Sequence, residues 1–305
     1  MRTPTKLISA SAVALLATAT LAACGGDPTE SDAGDSGSDT IVVGSADFSE
    51  NEIIAEIYAQ ALEAKDVKVE RKLRIGAREA YLPALENGEI DLLPEYTGNL
   101  LLYVDPDATA TEAGAVEDAL DDALPDTLET LEPAPAEDKD SYNVTQETSE
   151  SEGITSIGDL AKLGTVKVGG NPEFETRAYG VPGLQKVYGV EDVDFVPISD
   201  SGGPATVKAL LDGDVDVANI YSTTPSIAAN DLVTLEDPEN LIAAQNVVPL
   251  INEAKASDEV EDVLDAVSAE LTTEDLIALN NRVDGDEKAS AATAAKDWLE
   301  DKGLI

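Results

Sequence analysis

The sequence predicts an α/β protein of two similar halves with a ligand cleft between them, and three observations carry that prediction. The first is an internal repeat. "ALENGEIDLLPEYT" (residues 84–97) falls on "ALLDGDVDVANIYS" (209–222), an offset of 125 positions that sets Gly88 on Gly213. The same offset sets "TIVVGS" (40–45) on "TVKVGG" (165–170) and "LRIGAREAYLPAL" (73–85) on "ISDSGGPATVKAL" (198–210). The second is alternation. Short apolar strands are followed by stretches with apolar residues at helical spacing, which implies mostly parallel sheets, helices on both faces and right-handed crossovers. The third is a single cysteine in 305 residues. No internal disulfide can form, so the core alone must hold the fold.

Taken in order, residues 1–23 lie outside that fold. Arg2 and Lys6 make a basic start, Leu7 to Leu21 is an Ala-rich apolar run, and Leu21-Ala22-Ala23-Cys24 follows. The run is too short and wrongly flanked to span a membrane and reads as a secretory signal peptide. Its "LAAC" end resembles a lipobox, which implies cleavage before Cys24 and lipidation of that cysteine. An ordinary small-residue cleavage site beside an incidental cysteine is the alternative. Residues 24–39, almost free of apolar side chains, read as a flexible, self-repelling tether.

The first half opens with a strand at Ile41-Val42-Val43. Ser49 and Glu52 have capping-box spacing before a helix striped by Ile53, Ile54, Ile57, Tyr58, Ala61 and Leu62. Val67 to Ile75 is a second strand, Ala80, Leu82 and Leu85 stripe a second helix ended by Asn87-Gly88, and Ile90 to Leu93 is a third strand. Ala113 to Leu131 reads as an acidic helical stretch, and Pro133 to Lys139 as a proline-rich crossing. The second half repeats the plan: strands at Val166–Val168, Val193–Ile198 and Val215–Val217, helices near Gly183–Tyr188 and Pro204–Leu211. A second crossing follows Leu235. Val260–Leu279 and Ala289–Leu304 are helical by pattern and are expected to pack on the first half, Trp298 among them. One lobe is thus expected over residues 40–139 plus 246–305, the other over 140–245.

Ligands of such sheets sit beyond the carboxyl ends of the strands. Tyr96 and Tyr221, equivalent in the repeat, both leave a strand at that end. Sixty-two acidic against 19 basic residues give a formal charge of −43. That balance opposes binding to nucleic acid and to anionic bilayers. The chain has no histidine. Ser-His-Asp and Cys-His catalysis and the commonest zinc ligand are therefore ruled out. No carboxylate pair stands out as general acid and base, and neither a metal site nor a cofactor is expected.

Beyond these readings, the stretch from "VGSADFSENEIIAEIYAQALEAKDVKVERKLRIGAREAYLPALENGEIDLLPEYTG" through "GNPEFETRAYGVPGLQKVYG", "GGPATVKALLDGDVDVANIYST" and "LVTLEDPENLIAAQNVVPL" resembles the substrate-binding proteins of quaternary-amine ABC transporters. The resemblance covers nearly the whole chain from Ile41. It implies a two-lobed type II periplasmic-binding fold that closes around glycine betaine, choline, carnitine or a related osmolyte and hands it to a membrane permease. It also implies a binding protein rather than an enzyme, lipid-anchored through Cys24 on the outer face of the cytoplasmic membrane; a monomer is expected. A quaternary ammonium has no N–H to donate, and aromatic faces hold it by cation–π attraction and apolar contact. By resemblance, Tyr96, Tyr142 and Tyr221 fall on cage tyrosines, Arg177 falls on an arginine that clamps a carboxylate, and Thr97 adds a hydroxyl. A packing role at the crossing is the alternative for Tyr142.

Three departures bear on the ligand. The family often carries Lys in a "GSKNF" stretch where this chain has Ala46 and Asp47. Losing that Lys weakens the case for glycine betaine, and Asp47 facing a cation favours choline or another non-zwitterionic amine. A further cage tyrosine of the family would fall near Gln245-Asn246, where no aromatic stands. Tyr179 occupies a position where the family often has Asp, and is a candidate for the missing wall. Tyr58, Tyr81, Tyr103 and Tyr188 read as packing. The competing readings are a receptor for a polar amino acid or polyamine, a tethered sensory domain and, from another class, a surface enzyme using carboxylates.

Overall fold

The computed structural model describes residues 40–305. The expected signal peptide, tether and Cys24 lipidation fall on residues 1–39, outside the described residues.

In chain order, β1 (Thr40–Gly44), α1 (Ser49–Glu63), β2 (Lys68–Lys72), α2 (Arg78–Glu86), β3 (Leu92–Tyr96), α3 (Thr97–Val104), α4 (Ala113–Ala123) and β4 (Leu128–Thr130) lead to a first crossing. The second half comprises β5 (Asp140–Val144), α5 (Gln146–Glu152), β6 (Val166–Gly170), α6 (Val181–Tyr188), β7 (Val193–Pro197), α7 (Pro204–Leu211), β8 (Val217–Tyr221), the single turn α8 (Ser226–Ala229) and β9 (Val233–Thr234). The chain then returns through β10 (Val247–Asn252), α9 (Asp258–Glu270), α10 (Thr273–Asp284) and α11 (Ala291–Lys302).

Two five-stranded sheets result, ordered β2-β1-β3-β10-β4 and β7-β6-β8-β5-β9. The repeat is visible atom by atom. Val43 faces Leu92 in the first sheet, and 125 positions on Val168 faces Val217 in the second. Asp91 Oδ2 accepts from the Val42 N–H at 2.8 Å, and Asp216 Oδ2 from the Lys167 N–H at 2.8 Å. Gly88 and Gly213 both end a helix in the left-handed region, at φ 70° and 75°, where a Cβ would be strained. The repeated Gly and Asp therefore build the turn and pin the strand start.

The expectation of mostly parallel sheets holds for β1, β2, β3 and for β6, β7, β8. Each sheet is completed by antiparallel strands. β5 and β10 arrive from the opposite half along a crossing, not through a βαβ connection, and so run against their neighbours. The acidic stretch read as one helix to Leu131 breaks at Pro125, and β4 then pairs with β10. The C-terminal stretch divides at Leu271-Thr272, where Thr272 and Asp275 form a capping box. The expected Ser49/Glu52 box at α1 does not form. Glu52 is drawn to Arg74 Nε at 2.5 Å, and Ser49 donates to Asp284 at 3.0 Å.

One face of the first sheet packs on α1, α9, α10 and α11 through Ile53, Ile57, Leu264, Trp298 and Leu299. The other face is covered by α2, α3 and α4 through Leu82, Leu100 and Leu120. The second half has its own core around Val168, Leu184 and Val217. Where the crossings run side by side, Asp138 N–H donates to the Gln245 carbonyl at 3.2 Å and Val247 N–H to that of Ala136 at 2.9 Å. Gly98 abuts this ribbon: a Cβ there would lie 2.5 Å from the Ala244 carbonyl oxygen.

Candidate functional site

A cavity of about 1030 Å³ lies between the halves, beyond the carboxyl ends of β1, β3, β6 and β8. The turn after β1 brings in Asp47 and Phe48, and α1 adds Glu50. Tyr96 closes β3, while Tyr221 closes β8 from the opposite side. Phe48 stands between the tyrosines, its ring centroid 6.1 Å from Tyr96 and 5.4 Å from Tyr221. Three aromatic faces from two halves thus share one wall. Burial holds the hydroxyls of Tyr96, Tyr221 and Tyr179 well above the ordinary phenol pKa, so all three remain neutral donors.

The deep side of the cavity is acidic. Glu50 is 4 % exposed and accepts from Tyr96 Oη at 2.8 Å, Thr223 Oγ1 at 2.5 Å and Asn280 Nδ2 at 2.6 Å. Thr223 belongs to the second half, so this carboxylate joins the halves. Asp138, on the first crossing, accepts from Thr223 N–H at 3.1 Å and Ser222 Oγ at 3.2 Å. Asp140 accepts from Asn99 at 2.8 Å and Asn219 at 3.0 Å. Burial raises all three carboxyls; the Glu50 charge raises Asp138 further, and the donated hydrogen bonds oppose the shift in each.

The basic residues of the cavity are engaged. Arg78 meets Glu95 with two bonds of 2.7 and 2.8 Å, and Tyr81 Oη donates to the same carboxylate at 2.6 Å. Arg177 reaches across the cleft to Glu79 at 2.6 Å and lies 5.5 Å over the Tyr103 ring. Arg74 holds Glu52, with Asp47 at 3.5 Å.

Of the residues read from the sequence, Asp47, Tyr96, Arg177, Tyr179 and Tyr221 line this cavity. Tyr142, Thr97, Gln245 and Asn246 do not. Tyr142 is buried in the core of the second half against Phe174 and donates to the Tyr179 carbonyl at 2.8 Å. Its side chain therefore points away from the aromatic wall, and the packing alternative describes its place. Thr97, Gln245 and Asn246 belong to the hinge. Thr97 N–H donates to the Asn246 carbonyl at 3.1 Å, and Asn246 N–H to Thr97 Oγ1 at 3.1 Å. Gln245 exchanges two bonds with Asn99, of 2.7 and 3.0 Å. Asn99 passes the contact on to Asp140. Tyr81, read as packing, itself lines the cavity beside Arg78, its hydroxyl on the buried Glu95. Phe48, Glu50, Asp138, Asp140 and Asn280 were missed. Phe48 could have been found by the criterion that found Tyr96, a ring just beyond the carboxyl end of a strand.

Two mixed sheets facing each other across a cleft, with ring faces from both, define a two-lobed binding protein of the type II periplasmic class. Residues 39–301 match the family described as the substrate-binding domain of ABC-type glycine betaine transport systems. The chain belongs to that family, whose members bind transported substrates and are not known as enzymes. It is 29 % identical over 277 residues to the glycine betaine-binding protein YehZ of Escherichia coli (strain K12), covering 86 % of this chain and 90 % of that one. It is 24 % identical over 282 residues to the carnitine transport binding protein OpuCC of Listeria monocytogenes, covering 86 % of each. The crystal structure of a glycine betaine/carnitine/choline ABC transporter protein superposes with a TM-score of 0.69 at 21 % identity, covering 87 % of this chain and 99 % of that one. Among the described residues no helix is long and apolar enough to cross a membrane.

Proposed function

We propose that this chain is the extracytoplasmic receptor of an ABC importer and takes a quaternary ammonium osmolyte between its lobes, with Phe48, Tyr96 and Tyr221 as the aromatic wall. The carrying observation is the Phe48 ring held between tyrosines of opposite halves. A trimethylammonium group is too large and too weakly hydrated to favour a single carboxylate, and ring faces stabilise it by about 0.5–2 kcal/mol each. Tyr96 is suited to the role because Glu50 fixes its hydroxyl, and with it the ring plane. Relatives named for binding glycine betaine and for carnitine transport support the ligand class. Tyr179 completes the far side of the cavity, and Arg177 acts as a latch to Glu79. The lobes divide at the crossings, residues 40–139 with 246–305 against 140–245. Lipidation of Cys24, a monomeric receptor and a permease partner complete the reading.

Calorimetry tests it. Tyr96→Ala and Tyr221→Ala each remove most affinity for choline and glycine betaine; Tyr221→Ala leaves the unliganded melting temperature within a few degrees, whereas Tyr96→Ala lowers it further, because it also strips a core ring and a donor from buried Glu50. Normal binding by both variants rejects the wall. Mass spectrometry of ligand carried through purification identifies the natural occupant.

A further inference from the structure

The aromatic wall explains how a methylated cation is held, but it leaves Glu50 and Asp138 without a purpose. Both lie where the halves meet. Glu50 belongs to the first turn of α1 and Asp138 to the first crossing, while Thr223 follows β8 in the second half. Thr223 Oγ1 donates to Glu50 at 2.5 Å and its N–H donates to Asp138 at 3.1 Å. One residue of the second half thus ties two carboxyls outside it. Asn280 Nδ2, from α10, donates to Glu50 at 2.6 Å and lies 3.2 Å from Thr223 Oγ1.

The two carboxyls are buried, at 4 % and 6 % exposed. Neither meets a lysine or arginine within ion-pair distance among the described residues. Two unpaired anions in a dry site are costly, and their mutual repulsion adds to the cost. Asp138 also reaches Glu50 as a hydrogen-bond partner. Ionised carboxylates offer acceptors only, so a bond between them requires a proton. Such a pair titrates as a unit, its first proton lost easily and its second held.

The groups around the pair supply no cation to replace that proton. Glu50 faces the Tyr96 phenol from β3, Asp138 from the crossing, and the neutral Thr223 and Asn280. Asp138 faces Glu50 and, from β5, Asp140. Arg78 and Arg177 act on Asp140. On α1 itself Glu52 is taken by Arg74 and Glu56 by Arg71, and Asp284 of α10 accepts from Ser49. When the halves part, water reaches the pair, and both groups return towards the ordinary carboxylate range.

We propose that Glu50 and Asp138 hold one proton between them where the halves meet, and that this proton keeps Thr223 latched to the first half. Closing then draws a proton from water onto the carboxyl pair, and opening returns it. This rests on the halves closing around a ligand, as proposed above, and not on which amine they enclose. Burial holds both groups above the ordinary range. Between that range and the raised values the closed form carries the extra proton, so rising pH favours the open form. The chain has no histidine, so no side chain of ordinary pKa titrates near neutrality to imitate the response.

Small-angle scattering of the full chain without ligand, between pH 5 and 8 at constant salt, tests it on wild type, Glu50→Gln and Asp138→Asn. Circular dichroism confirms folding. The wild-type radius of gyration is expected to grow with pH, the open-to-closed ratio rising by up to about tenfold per pH unit, the limit for one linked proton. Glu50→Gln is expected to stay compact throughout, because an amide donates to Asp138 without a titrating proton. Asp140, Glu117 and Glu129 are raised as well and remain in the variant, so the difference between the two profiles isolates the pair. A wild-type radius independent of pH, or a Glu50→Gln profile that follows wild type, overturns the shared proton. Should Glu50→Gln not fold, Asp138→Asn carries the same comparison. No ligand enters the measurement, so its failure leaves the aromatic wall standing, and loss of the wall leaves its result intact.

Discussion

The Phe48 ring, from the turn after β1, lies 5.4 Å from the Tyr221 ring at the end of β8, with the planes 55° apart. The two side chains come from strands that share no sheet, so their contact exists only while the halves face each other. Phe48 is half-buried and packs at the edge of both apolar clusters of the first half. Phe48→Ala is therefore expected to cost one cation–π face and its apolar contact, about 1–2 kcal/mol of binding, or about five- to thirtyfold in Kd. Titration calorimetry with choline checks it. The unliganded melting temperature should fall by a few degrees, because the ring also packs at the edge of two apolar clusters.

Tyr142 supplies the contrast. Its ring is enclosed by the second core and its hydroxyl satisfies the Tyr179 carbonyl. Tyr142→Phe leaves that carbonyl with one buried donor fewer, at about 1 kcal/mol of stability. Ligand affinity should stay within about threefold, measured beside a thermal melt. A collapse of affinity with unchanged stability would return Tyr142 to the site.

Why one tyrosine was legible and the other was not follows from what each position depends on. Strand ends are local: an apolar run, then Pro94-Glu95-Tyr96, places a ring at a sheet's carboxyl edge, and the 125-residue repeat duplicates it at Tyr221. The antiparallel arrival of β5 is not local. It turns Tyr142 to the core side of the sheet, and no pattern within "DSYNV" encodes which face that is. The same holds for Gln245 and Asn246, near which the resemblance puts a further cage tyrosine, and which lie in the ribbon of the crossings. Glu50 and Asn280 come together over 230 positions, in a chain so rich in carboxylates that no single one stands out. The helix at α1 was legible from its stripe, but its cap was not, because Arg74 competes for Glu52 from outside the segment.

Arg177 and Glu79 join the halves at the cleft rim, with the glutamate half exposed. An exposed pair contributes about 0–1 kcal/mol and is screened by salt. Arg177→Ala is expected to leave the melting temperature within about 2 °C and to weaken choline binding by less than about fivefold, through looser closure. The radius of gyration by small-angle scattering, read without ligand, should rise towards the open form. A loss of binding beyond about a hundredfold would instead mean that Arg177 grips the ligand directly.

The buried acids set the pH response. Glu50, Asp138 and Asp140 are all held above the ordinary carboxylate range by burial. Between the unfolded values, near 4, and the raised folded values, the native state binds more protons than the unfolded chain. Stability of the unliganded protein therefore falls as pH rises through that window. Relief of self-repulsion at a formal charge of −43 also favours lower pH, so the raw melting profile does not isolate the acids. The difference between wild type and Glu50→Gln does: the variant lacks one of the titrating groups and should melt higher than wild type at pH 7.5, with the gap closing towards pH 5. Melting curves at four pH values between 5 and 8 check the sign. A melting gap independent of pH would mean that Glu50 does not titrate in that range.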